Sequence, residues 1–212
     1  MSVTHGKKAN VFKWNKTAGD LSSEACTESG SQAQITDAAK RLLNPNADIT
    51  FTDSGGANML RINHASGIAY FDDTVTVVTA TGTGAYVTAA NLIKVGYLYD
   101  WDLSVDLGLA EKTVFQDDWK DWYPGLAGAS GSAGGFFAGS NWFDDLVDTI
   151  DGTMEKFLLQ LFTYDPDNDQ TGDHYNAWVM FSSVNVNAPL GEMVKEKKSF
   201  AVCGMPVFVP NV

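Results

Sequence analysis

Residues Tyr97 to Leu109 read YLYDWDLSVDLGL, and every odd position is apolar: Tyr97, Tyr99, Trp101, Leu103, Val105, Leu107 and Leu109. The even positions carry Asp100, Asp102, Ser104, Asp106 and Gly108, with Leu98 the one exception. Alternation of period two over thirteen residues commits this stretch to a long strand with one dry and one wet face. Three aspartates on the wet face are unusual, because Asp is a poor strand former. Something other than local propensity favours negative charge along that face.

The same period governs much of the chain. Ala9 to Trp14 reads as a first strand, followed by a Gly19-Asp20 turn and a polar stretch through Ser31. Thr36 is placed to cap a short helix over Asp37 to Leu43, with Pro45 just beyond its end. Short β-like runs follow at Asp48 to Thr52, Met59 to Asn63, Gly67 to Phe71 and Val75 to Thr79, and the glycines near Thr81 to Gly84 read as a turn. After the alternating strand, Ala110 to Gly128 is expected to be a long loop, and the small residues of Ser130 to Gly139 a return strand that suits close backbone approach. The clearest helix is expected from Ser140 to Gly152, with an apolar stripe of Trp142, Phe143, Leu146, Val147 and Ile150. Strands are expected at Glu155 to Tyr164 and His174 to Val186, then a turn through Pro189-Leu190-Gly191 and a final strand pair between Val194 and Val209. The fold class is therefore mainly β, with one packed helix and strands dominating from end to end. At 212 residues it reads as a single domain. Residues 34–88, with their short helix and strands, are expected to be an insertion or elaboration of that domain.

Charge narrows the function. The chain carries a net charge of −12, which excludes a protein that grips nucleic acid through a basic surface. The acidity is concentrated: from Asp100 to Asp173 there are sixteen acids against Lys112, Lys120 and Lys156. Elsewhere the sequence is nearly neutral, with a basic run at Lys195, Lys197 and Lys198. Charge polarised in this way supplies either a solvated acidic face that only aids solubility or an acidic surface and a basic one that can meet in a self-assembling protein. No apolar stretch approaches the length of a membrane span, and Met1 to Trp14 lacks the apolar core of a signal peptide. Synthesis in the cytoplasm is expected, with Cys26 and Cys203 as unpaired thiols.

Chemistry is hard to place. Asp165, Asp167 and Asp169 alternate as in a calcium loop, but Gln170 stands where that loop needs Gly and Asn176 where it needs Glu, so the stretch reads as a solvated hairpin tip. His5, His64 and His174 are far apart in sequence and imply no triad or metal site. No carboxylate pair is singled out for glycosidase work. Nothing reads as an active site, and no cofactor is implied. What remains is the aromatic cluster of Trp119, Trp122 and Tyr123 among Asp117, Asp118 and Asp121. Aromatics in a long loop point to contact with a partner, the alternative being that they fold back onto their own sheet.

The segment WKDWYPGL, Trp119 to Leu126, followed by ASGSAGGFF to Phe137, together with the preceding WDLSVDL strand and the SNWFDDL stretch, resembles the major tail tube proteins of long, non-contractile-tailed bacteriophages. The order of an alternating strand, a loop with Trp and Pro-Gly-Leu, a small-residue return strand, an aromatic-led helix and two hairpins matches from about Tyr97 to Phe208. Gln34 to Phe51 resembles an insertion found near the N-terminus of some members. The departures are a second Trp at Trp122 and the glycines Gly131, Gly134 and Gly135 of the return strand.

The resemblance implies a fold of two packed β-sheets, a β-sandwich or partial barrel, flanked by one α-helix, in a virion protein made in the host cytoplasm. Six copies would join inner sheets into a ring, and rings would stack into the tube through which double-stranded DNA leaves without specific binding. Tape measure, tail terminator and distal tail proteins would be the partners at its ends. Asp100, Asp102 and Asp106 would line the lumen. Asp117, Asp118, Trp119, Trp122, Tyr123 and Pro124 would lie in the loop, 110–128, that stacks rings. Lys195, Lys197 and Lys198 would meet a neighbouring subunit. The alternative from another class is a monomeric β-sandwich that binds a carbohydrate or receptor through Trp119, Trp122 and Tyr123.

Overall fold

The computed structural model describes residues 2–6, 8–14, 17–112, 121–136, 156–163, 173–187 and 194–210. The strands in chain order are β1 (Ser2–Gly6), β2 (Lys8–Trp14), β3 (Gly19–Ser29), β4 (Gln32–Ile35), β5 (Thr50–Asp53), β6 (Met59–Asn63), β7 (Ile68–Phe71) and β8 (Val78–Tyr86). The second half of the chain adds β9 (Leu92–Leu98), β10 (Asp100–Lys112), β11 (Asp121–Phe136), β12 (Phe157–Phe162), β13 (His174–Asn187), β14 (Lys195–Val202) and β15 (Val207–Val209). They form two antiparallel sheets, so the mainly-β expectation holds. The larger runs β1-β10-β11-β14-β13-β12-β2-β9, with β15 pairing β13 beside that path, and it curls nearly into a barrel. The smaller runs β5-β8-β3-β4-β7-β6.

The two sheets are joined in a simple way. Trp14 at the end of β2 pairs with Leu92 at the start of β9, and every strand of the smaller sheet lies between them in sequence. The second sheet is thus inserted at the turn of a β2–β9 hairpin. It spans the residues expected to be an insertion and also takes in β3.

Each sheet has its own core. In the large one, Val11, Leu98, Trp101, Leu103, Leu159, Leu161, Val179, Phe181 and Phe200 pack together, and the Trp101 indole N–H donates to the Phe162 carbonyl at 3.0 Å. Gly131 in β11 is required here. A Cβ there would strike the Asp102 carbonyl and the Phe200 ring, so the missing side chain lets that ring lie against the strand. The small core gathers Leu21, Ile35, Leu43, Phe51, Phe71 and Val78. A third cluster of Phe12, Leu158, Trp178 and Val87, with Leu42 against it, ties the sheets together.

Several expectations are corrected. The alternating run is two strands, because the chain turns a corner at Tyr99, whose N–H donates to the Gly134 carbonyl at 2.8 Å. That corner accounts for Leu98: it is 1% exposed while Tyr99 is 41% exposed, so the inward phase shifts there. The polar stretch after Gly19 is the eleven-residue strand β3, paired to β8 through two register shifts. The short helix reduces to a 3-10 turn at Ala38–Lys40, capped by Asp37 and not Thr36. Leu43 is pulled out of any helix by bridging to Tyr86 and bonding to the His64 carbonyl. The glycines of Thr81 to Gly84 lie within β8. Much of the expected loop at 110–128 is hairpin: β10 runs to Lys112, β11 begins at Asp121, and Leu109, Ala110 and Glu111 pair with Pro124, Tyr123 and Trp122. The helix at 140–152 and the aspartate-rich turn after Tyr164 lie outside the described residues.

Candidate functional site

The surface of interest is the two-sided ribbon formed by β10 and β11 and its continuation across β14 and β13. Directly paired residues in an antiparallel sheet project to the same side. One row therefore runs Asp100, Gly134, Lys197, Asn185, and the next runs Asp102, Ser132, Ser199, Ser183. A third holds Ser104, Ser130 and Ala201, and Asp106 stands opposite Gly128. This is the wet face, and the structure brings Asp100, Asp102 and Asp106 together on it.

It also places Lys195 and Lys197 there. Both are exposed and alternate in phase with Ser199 and Ala201. The aspartate column and the lysine column are two strands apart, about 10 Å. Between them the β11 positions are Gly128, Ser130, Ser132 and Gly134, with Phe136 the position paired to Lys195. Asp102 is held over that strip: its carboxylate accepts from the Ser132 N–H at 3.2 Å and from the Ser132 hydroxyl. The Asp100 carboxylate occupies the space a side chain at position 134 would need, which is why glycine stands there. Acids and bases thus share one wall.

Lys198 is on the other side. It is 0% exposed, and its ammonium donates to Glu196 Oε1 at 2.9 Å, with Glu196 itself 5% exposed. Strand alternation splits the run: Lys195 and Lys197 face out, while Glu196, Lys198 and Phe200 face in. The expectation that Lys198 offers its charge to a neighbouring subunit is therefore corrected. Burial pushes the Lys198 amine below its ordinary pKa, and Glu196 opposes that shift. Ala133, the Lys198 neighbour on β11, leaves room for this ion pair. Sequence reasoning missed Glu196. The signal was present in the alternation of KEKKSF, whose Phe200 marks the inward phase.

The dry face of the hairpin outruns the core. Trp101 and Leu103 are 3% and 4% exposed, but Val105 and Leu107, two and four positions farther on the same face, are 47% and 53% exposed. Of the stacking residues, Asp117, Asp118 and Trp119 lie outside the described residues. Trp122, Tyr123 and Pro124 are consecutive positions of β11 next to the shift in register between Leu107 and Leu109. Proline fits there because it has no N–H to give a ladder.

No family model matches the chain, and no curated protein matches it. Among solved structures, the chain is similar to one from the tail of an empty gene transfer agent particle, computed with helical refinement in C6 symmetry. That likeness has 17% identity and a TM-score of 0.42, over 57% of this chain and 88% of that one. It is also similar to a chain of the virion of the native gene transfer agent particle, at 17% identity and a TM-score of 0.41, over 57% of this chain and 90% of that one.

Proposed function

We propose that this chain is a structural subunit of a phage-type tail tube, whose copies join into rings of six that stack into a hollow tube for double-stranded DNA. The observation that carries the reading is the β10–β11 hairpin, whose apolar face continues through Val105 and Leu107 past the end of the chain's own core. A strand that keeps its alternation beyond its own core is suited to burial against another molecule. A second copy is the simplest cover.

The wet face fits the wall of such a tube. Its three aspartates and two lysines leave a small negative balance, and hydroxyl and amide groups fill the rows between them. A phosphate backbone would find no cluster of cations to hold it, so it could slide without being trapped. The edges of the large sheet, β1 and β9, would be covered by neighbours in a ring, which removes an aggregation risk. The tape measure, tail terminator and distal tail proteins would close the two ends.

The test is negative-stain electron microscopy beside light-scattering mass as concentration rises. Hollow tubes with sixfold end views are expected from the wild type, and monomers from Leu107→Ser. A wild type that stays monomeric throughout, and binds a glycan, would replace this reading with the carbohydrate-binding one.

A further inference from the structure

A cavity of about 340 Å³ lies between the second sheet and the hairpin. Arg61 and Tyr70, from β6 and β7, form one wall; Val105 and Ala129, paired across β10 and β11, form a second; Val202 and Met205 form a third. The Arg61 guanidinium lies over the Tyr70 ring, 4.2 Å from its centroid, so the ring positions the charge at the recess. Among the described residues that line the recess, none is acidic. In a chain of net charge −12 that is a distinctive place: apolar walls with one fixed cation. Its size lies at the low end of the roughly 300–1,000 Å³ typical of binding sites.

We propose that this recess is the socket for a second copy of the chain, which inserts the acidic, aromatic segment joining its own β10 to its β11. That segment reads TVFQDDWK, residues 113–120, and brings Asp117 and Asp118 for Arg61 and an aromatic side chain for the apolar walls. The inference rests on the tube reading and names the surface that one ring offers the next. The described end of β10, Lys112, is seven residues beyond Val105, about 23 Å along an extended strand, which favours a second copy as the source of the segment. Plug and socket on one chain make a heterologous contact, which propagates along an axis and does not close on itself. The socket exists only because the second sheet is inserted where it is, so the insertion takes part in stacking.

The test compares assembly of the wild type with Arg61→Glu, which reverses the charge, and Ala129→Trp, which fills the recess. Circular dichroism and the unfolding midpoint serve as folding controls. Each variant is expected to raise the concentration needed for tubes by about tenfold or more, the loss typical of a disrupted hot spot. Arg61→Glu should be rescued by Asp117→Lys with Asp118→Lys. A double variant, Met205→Cys with Trp119→Cys, should give a ladder of disulfide-linked multimers in assembled tubes. If folded Arg61→Glu and Ala129→Trp form tubes at the wild-type concentration and no ladder appears, the socket is refuted while the tube reading stands. If the wild type forms no tubes at any concentration, the tube reading fails and the socket falls with it.

Discussion

The two sheets solve the same problem with different surpluses. The smaller gathers its core from its own strands and from Leu43, Ile49 and Val75 of the segments between them, and its turns are held by local bonds. Asp53 shows how. Its carboxylate accepts from the N–H groups of Ala57, Thr76 and Val77 and from the Thr76 hydroxyl, at 3.2, 2.9, 3.3 and 3.2 Å, pinning the β5 end to the approach to β8. The larger sheet leaves things over. It carries a buried ion pair, a wall of mixed charge and a hairpin that extends apolar residues past its core. The smaller sheet exposes apolar side chains too, Leu60 at 66% and Val77 at 59%, but as single residues of separate segments. In the proposed tube the larger sheet supplies the charged wall and the hairpin, and the smaller sheet supplies one wall of the recess.

The sharpest way to break that comparison lies within β10 itself. Trp101→Ala removes a core indole and its bond to Phe162, and should cost about 3–5 kcal/mol in urea unfolding. Leu107→Ser, six positions along the same face, should stay within about 0.5 kcal/mol of wild type, yet lose the polymer seen by light scattering. Equal losses of stability at both sites would show that the hairpin is packed within the monomer.

Next in size is the ion pair. Lys198→Met alone strands the Glu196 carboxylate, whose Oε2 already has no hydrogen-bond partner, and should destabilise by about 3 kcal/mol. Lys198→Met combined with Glu196→Leu should recover most of that loss, because an apolar pair of similar volume costs no desolvation of charge. Denaturant midpoints of the singles and the double form the cycle that separates the two terms. A double variant as unstable as the single would mean that Lys198 contributes chiefly through packing of its stem.

The smallest effect belongs to the second sheet. The Thr76 backbone N–H, with help from Ala57 and Gly55, holds the Asp53 carboxyl down to about 2, against an ordinary value of 3.8. A carboxylate lowered on folding stabilises the native state above its unfolded pKa, and that contribution fades as pH falls from about 4 to about 2. Asp53→Asn should therefore lower the thermal midpoint by a few degrees at pH 7, with the gap from wild type closing below pH 4. A gap that persists to pH 2 would assign the effect to geometry and not to charge.

Much of the fold could be read without coordinates. Met59 to Asn63 was expected as a strand and is one, and Ala9 to Trp14 falls within β2. What escaped did so for identifiable reasons. The strand β3, GDLSSEACTES, buries only Leu21 and Cys26 and is otherwise polar, so its own pattern is weak and pairing with β8 and β4 imposes the strand. At Asp37 to Leu43 local helix signals lost to the burial of Leu43 in the second core. The site was half legible. Its aspartates could be placed on one face of one strand, but their neighbours could not, because Lys197 meets that face across Gly134 from a strand nearly a hundred residues away.

By itself, the sequence determined that β10 has a dry and a wet face, that the wet one is acidic, and that the chain is built from strands. These are consequences of a period of two, which is written in adjacent residues. Tertiary structure alone decided where the dry face runs out of core, that Lys195 and Lys197 share the acidic wall while Lys198 turns inward beside Glu196, and that an inserted sheet makes a recess against the hairpin. Those outcomes depend on register between distant strands, and a shift of one residue in register would move every side chain of a strand to the opposite face.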